Sequence, residues 1–130
     1  MISQLYQKEL MDHFKNPRNC GQIENPDFAI FDENPSCGDK VSMQGKIENN
    51  ILVNVKFISS GCVLSQATSS ILTEFSKGKS VEEILSITSQ DVLKLVGINL
   101  GPNRIKCALL PLIVLKKGLS SCFESKIKQH

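Results

Sequence analysis

The apolar positions of this chain switch from helical spacing to alternation and back again. Ile2, Tyr6, Leu10 and Phe14 recur every four residues, which predicts a first helix ending before Asn16-Pro17. Residues 16–27 hold three asparagines, two prolines and a glycine and read as loop. Phe28 to Phe31 reads as a short strand, and Pro35 to Asp39 as a turn. Val41, Met43, Gly45 and Ile47 then alternate with polar neighbours, as do Ile51, Val53, Val55 and Phe57. Asn49-Asn50 between the two runs tolerates positive φ, so the pair predicts a β-hairpin with one apolar face in need of a cover.

Helical spacing resumes after Cys62. Leu64, Ala67, Thr68, Ile71, Leu72 and Phe75 share a face, with Gly78 as the expected C-cap. Ser80-Val81-Glu82-Glu83 spells a capping box for a short helix. Thr88 or Ser89 opens another, which Gly97 ends. Gly101-Pro102 leads into a final helix, with Lys116-Lys117-Gly118 as its stop signal. Pro111 inside that segment cannot donate to the Cys107 carbonyl, so the helix is expected to kink there or to begin late.

With 130 residues the chain is expected to form one domain with its own core: residues 1–119 as the domain and 120–130 as a basic C-terminal tail. Hydrophobic content of 41% and charged content of 22% are ordinary for a globular protein. The net charge of +2 is too small to argue for nucleic acid. The charge is uneven, at −1 over residues 1–115 and +3 over residues 116–130, and the latter reads as a solvated terminus. Charged residues precede any apolar run at the start of the chain, and the longest apolar run, Ala108 to Leu115, is too short to span a bilayer. A cytoplasmic protein without membrane contact is therefore expected. Thiols stay reduced in that compartment, so five cysteines favour metal or redox chemistry over disulfides.

Three of those cysteines, Cys37, Cys62 and Cys107, stand out together with Asp39. Cys37 and Cys62 each adjoin a glycine, which suggests loops. Three thiols and a carboxylate suffice for a four-coordinate metal site. Intervals of 25 and 45 residues match no compact zinc finger, however, and there is no Cys-x-x-Cys. By spacing alone, a metal site and cysteines buried for packing both stay open. A nucleophilic enzyme using Cys107 or Cys37 with His13 ranks last, since no oxyanion hole or substrate pocket can be pointed to.

Several motifs in order narrow the choice: Asp12-His13-Phe14-Lys15-Asn16-Pro17-Arg18-Asn19, then Cys37-Gly38-Asp39, then Gly61-Cys62, then Pro102 to Cys107. On these the chain resembles the iron–sulfur cluster assembly scaffolds, the group of IscU, SufU and the NifU N-terminal domain, from about Leu5 to Leu119. The resemblance implies an α+β fold, a three-stranded antiparallel sheet covered on one face by helices, with the site at one end. It implies that Cys37, Cys62 and Cys107 are the cluster and sulfur-handling thiols and Asp39 the carboxylate. The implied cargo is iron and a transient [2Fe–2S] cluster, with zinc in the cluster-free form. The implied partners are a cysteine desulfurase and apo iron–sulfur acceptor proteins. No catalytic residue is implied for a scaffold. The alternative is a SufU-like zinc-dependent sulfur transferase that accepts persulfide from the desulfurase.

Two departures point within the family. IscU-type members usually carry a histidine just before the third cysteine, where this chain has Lys106. Their Leu-Pro-Pro-Val-Lys motif is replaced by Leu100-Gly101-Pro102-Asn103-Arg104, which calls recognition by the IscU-type chaperone into question. Both features look like SufU, yet the 45-residue interval between Cys62 and Cys107 has no room for the insertion that SufU carries there. Lys106 and Arg104 are accessory candidates; as cations they cannot ligate metal. Cys20 and Cys122 fall at no motif position, and His13 reads as a surface or packing residue.

Overall fold

The computed structural model describes the backbone of residues 2–36 and 38–128, and the side chains of residues 7–36 and 38–122. The elements run α1 (Ile2–Lys15), β1 (Phe28–Asn34), β2 (Asp39–Glu48), β3 (Ile51–Ser60), α2 (Val63–Ser76), α3 (Val81–Leu85), α4 (Ser89–Val96) and α5 (Pro102–Lys128). The three strands form one antiparallel sheet in the order β1-β2-β3. Val41, Met43, Leu52, Val55 and Phe57 are buried on its inner face under the helices, and Phe31 and Ile58 stay exposed on the outer face. This is the α+β arrangement that the resemblance implied.

Local signals gave the right kind of element but several wrong details. β1 continues past Phe31 to Asn34, because those residues pair with the start of β2 as far as Asp39. The inward phase of β3 is also broken. Leu52 is buried and Val53 is 37% exposed, against the alternation expected from Ile51, Val53 and Val55. A register shift at Lys46/Ile47 places Asn54 opposite Lys46 and Leu52 opposite Ile47, so the extra residue turns Val53 outward. Phe75 leaves the expected core face of α2 and is 37% exposed, with the Lys79 ammonium 4.2 Å above its ring.

The fourth correction concerns Gly118. It is not a stop signal, since α5 runs through both Pro111 and Gly118 to Lys128. A Cβ at Gly118 or at Gly45 would overlap the Phe28 ring, which is buried between α5 and β2. The glycine is therefore there to admit an aromatic ring against the helix backbone.

α2 is central to the packing. Its buried face carries Ser65, Thr68, Ser69, Ser70, Thr73 and Ser76 besides Leu64, Ala67 and Leu72. Small side chains let it approach its neighbours closely, and two hydroxyls are satisfied locally: Ser69 donates to the Ser65 carbonyl at 2.9 Å and Thr73 to that of Ser70 at 3.0 Å. The loop at 16–27 is tied down across the sheet. Phe57 donates its N–H to the Asn19 carbonyl, Ile23 donates to Gln44 Oε1 at 2.6 Å, and Asp27 donates to the Gly45 carbonyl at 2.7 Å. Upstream, the Arg18 N–H donates to Ser70 Oγ at 2.8 Å and its guanidinium bonds Asp12 at 2.5 Å, so α1 is clasped onto α2.

Candidate metal centre

Three elements converge at the end of the sheet where β2 begins. Asp39 is its first residue and is fully buried. Cys62 follows the last residues of β3 and is the N-cap of α2, with its sulfur accepting the Leu64 N–H at 3.3 Å. Cys107 lies in the second turn of α5, is 3% exposed, and its thiol meets the Asn103 carbonyl at 3.6 Å. Each of the three offers a ligand atom, and these atoms lie within 4.8 Å of one another. Cys37, the other expected ligand, lies outside the described residues.

Asp39 serves two purposes with its two oxygens. Oδ1 accepts the Cys62 N–H at 2.8 Å, which fixes the loop that carries the thiol. Oδ2 is buried and has no hydrogen-bond partner among the described residues. A buried carboxylate oxygen left bare is costly, and with two sulfurs nearby it is a candidate ligand for a cation. Gly61 makes the arrangement possible. Its φ is +107°, and a Cβ there would lie 2.8 Å from Asp39 Oδ1 and 2.9 Å from the Gly38 carbonyl. Gln66 Nε2 donates to the Gly61 carbonyl at 3.2 Å and braces the same turn.

The donor set suits thiophilic metals. Thiolates bind zinc and iron. Ligand atoms around tetrahedral zinc stand about 3.8 Å apart, so a spread of 4.8 Å needs only a small contraction to close on an ion.

The chain matches the model of the NifU-like N-terminal domain over residues 5–130. It belongs to that family. Among curated relatives it is 34% identical to the zinc-dependent sulfurtransferase SufU of Bacillus subtilis, over 92% of each chain. That alignment of 136 positions is longer than the 130-residue chain, so it carries gaps on this side. It is 36% identical to the iron–sulfur cluster assembly scaffold protein IscU 1 of Archaeoglobus fulgidus, over 95% of this chain and 80% of the relative. Among solved structures, a candidate iron–sulfur cluster assembly scaffold of the SUF system from Fervidobacterium islandicum superposes with a TM-score of 0.76 at 27% identity, covering 89% of this chain and 97% of that one.

The other residues singled out from this NifU-like sequence are not members of the ligand group. Lys106 and Arg104 are exposed on α5, and neither side chain makes a hydrogen bond or ion pair with another described residue. Cys20 is exposed and bridges the free edge of β3 at Phe57. Cys122 is half-buried against the core, its thiol 3.2 Å from the Asp27 carbonyl. His13 is half-buried, with Nδ1 2.7 Å from Ser70 Oγ. Ser70 Oγ also accepts the Arg18 N–H, so one hydroxyl ties His13 and Arg18 to α2. Burial first, and then the Arg18 charge, hold His13 below its ordinary value of 6.5. Sequence reading missed Gly61 as a contact residue and Asn34 as a neighbour of Asp39. The glycine was visible only as a loop former.

Among the described residues no helix is long and apolar enough to cross a membrane.

Proposed function

We propose that this protein assembles iron–sulfur clusters on Cys37, Asp39, Cys62 and Cys107 and passes them to apo-acceptor proteins, with sulfur supplied by a cysteine desulfurase. The observation that carries this reading is the convergence of Asp39, Cys62 and Cys107 around a bare carboxylate oxygen. A carboxylate is a harder and weaker partner for iron and sulfide than a thiolate, so a site of three thiolates and one carboxylate holds its cargo and can still release it. The cargo is iron and a transient [2Fe–2S] unit, with zinc taking the site in the cluster-free form. The reading needs reduced thiols, which the cytosol provides.

A second reading is a zinc-dependent sulfur transferase. The SufU relative supports it, as do Lys106 and Arg104 flanking Cys107 with positive charge. In that case the metal stays, and a cysteine carries persulfide onward.

Both readings require the desulfurase, and one experiment separates them. The protein is mixed with an active cysteine desulfurase, cysteine, ferrous iron and a mild reductant, then offered an apo-ferredoxin. A scaffold builds a coloured cluster and transfers it. A transferase raises cysteine turnover and delivers sulfur without cluster colour. If the desulfurase is active alone but neither turnover nor thiol persulfide changes, both readings fail.

A further inference from the structure

Of the six other buried polar atoms without a partner among the described residues, two lie on the strands next to Asp39 in register. Asn34 Nδ2 and Ser59 Oγ are buried without a hydrogen bond among the described residues. Asn34 is the last residue of β1 and stands directly opposite Asp39 in the β1–β2 register. Both occupy inward phases: Asn34 follows Phe28 and Ile30 in alternation, and Asp39 precedes Val41 and Met43. Side chains directly opposite on one face have Cβ atoms about 4.5–5.5 Å apart. Ser59 pairs with Val41, one inward step further along.

An amide N–H and a carboxylate oxygen placed as neighbours would be expected to bond each other. Here they do not, and each is left buried and unmet. Groups of that kind in a folded protein mark the place of a ligand or a water. The chemistry of the pair sets the ligand. A carboxylate oxygen takes a cation, and an amide N–H takes an anion or a lone pair. Together they suit a metal ion with an anion bound to it. Asn34 is also held in place, because its own carbonyl accepts the Gly38 N–H at 2.9 Å between β1 and β2.

We propose that Asn34 donates its side-chain N–H to the sulfur anion entering the metal site, and so holds that sulfur beside Asp39. The inference rests on the metal-site reading above and names a residue for the sulfur half of the cargo. In the step concerned, hydrosulfide brings the electron pair for the new metal–sulfur bond. The bond to Asp39 Oδ2 breaks, and the carboxylate keeps its pair. Nothing is oxidised or reduced. Asn34 offsets the loss of the carboxylate by meeting the incoming negative charge.

The test uses the whole chain loaded with cobalt(II) under argon and titrated with stoichiometric hydrosulfide, read by the sulfur-to-cobalt charge-transfer band. Asn34→Asp has the same shape, cannot donate, and adds a repelling charge; Asn34→Ala removes the group. Cobalt affinity and the metal-free melting curve are recorded beside each titration. A hydrogen bond to a charged acceptor predicts a hydrosulfide affinity at least about tenfold weaker in Asn34→Ala, and weaker still in Asn34→Asp, with cobalt affinity within about threefold of the parent. Equal hydrosulfide affinity in all three proteins overturns the proposal and leaves Asn34 Nδ2 to a structural water. Parallel loss of cobalt and hydrosulfide affinity also overturns it, since Asn34 would then act on the β1–β2 turn alone. If the parent protein takes up no cobalt, the metal-site reading itself fails, and this result is distinct from the other two.

Discussion

Replacing Asp39 with alanine and with asparagine separates its two oxygens. The Cys62 N–H has one acceptor, Asp39 Oδ1 at 2.8 Å, at a residue with no exposed surface. Alanine removes the acceptor and leaves a buried N–H unmet, at a cost of about 1–3 kcal/mol. Asparagine keeps a carbonyl oxygen in the same position. Both changes also remove the buried charge, so the difference between the two variants isolates the hydrogen bond. Metal-free Asp39→Ala should therefore be less stable than Asp39→Asn by about 1–3 kcal/mol, or roughly 1 M in urea midpoint at the slope of a small domain. Zinc affinity should fall in both, because both lose the anionic oxygen. The assay is urea unfolding with a chelator present, followed by zinc titration with a competing indicator. If the two variants unfold together, the bond to Cys62 contributes nothing and the loop is held by something else. If Asp39→Asn binds zinc as tightly as the parent, Oδ2 is no ligand. In cluster transfer both variants should assemble cargo and release it more slowly.

Other consequences are more local. Gly118→Ala would ordinarily stabilise a helix by about 1 kcal/mol, but here the added Cβ meets the Phe28 ring, so a loss of about 1–3 kcal/mol in unfolding free energy is expected. Combining it with Phe28→Leu should recover part of that loss. His13 has its folded-state value lowered from 6.5, so its contribution is complete above that pH and is lost as pH falls towards the folded value. The parent should lose more melting temperature between about pH 7.5 and pH 5 than His13→Gln does. Cys20→Ser and Cys122→Ser should leave zinc or cluster binding nearly unchanged, whereas Cys37→Ser, Cys62→Ser and Cys107→Ser should each weaken it strongly in a metal titration.

What could be read from the sequence was what depends on near neighbours. The hairpin at Asn49-Asn50, both at positive φ, the capping box at Ser80 and the helix start at Thr88 are local chemistry and occur as expected. Features that depend on distant parts of the chain were hidden. Gly118 looks like a helix stop until Phe28, ninety residues earlier, is placed against it. Leu52 and Val53 are both apolar, so nothing local shows which of them the shifted register turns inward. Ser65, Ser69 and Ser76 look like a solvent face, and α2 buries them. The ligand residues show the same limit. Intervals of 25 and 45 residues do not say that Asp39, Cys62 and Cys107 meet; the strand start, the helix cap and the α5 turn bring them together. Asn34 has no motif at all, and its place follows from register alone.

The most direct test of the scaffold account is the iron, zinc and acid-labile sulfide content of the protein after anaerobic purification and reconstitution with a cysteine desulfurase. The account predicts iron and sulfide in equal amounts on the parent chain, and neither on Cys62→Ser. One tightly held zinc per chain with no iron–sulfide uptake would contradict it and favour the transferase, and a chain that holds no metal in any preparation would contradict both.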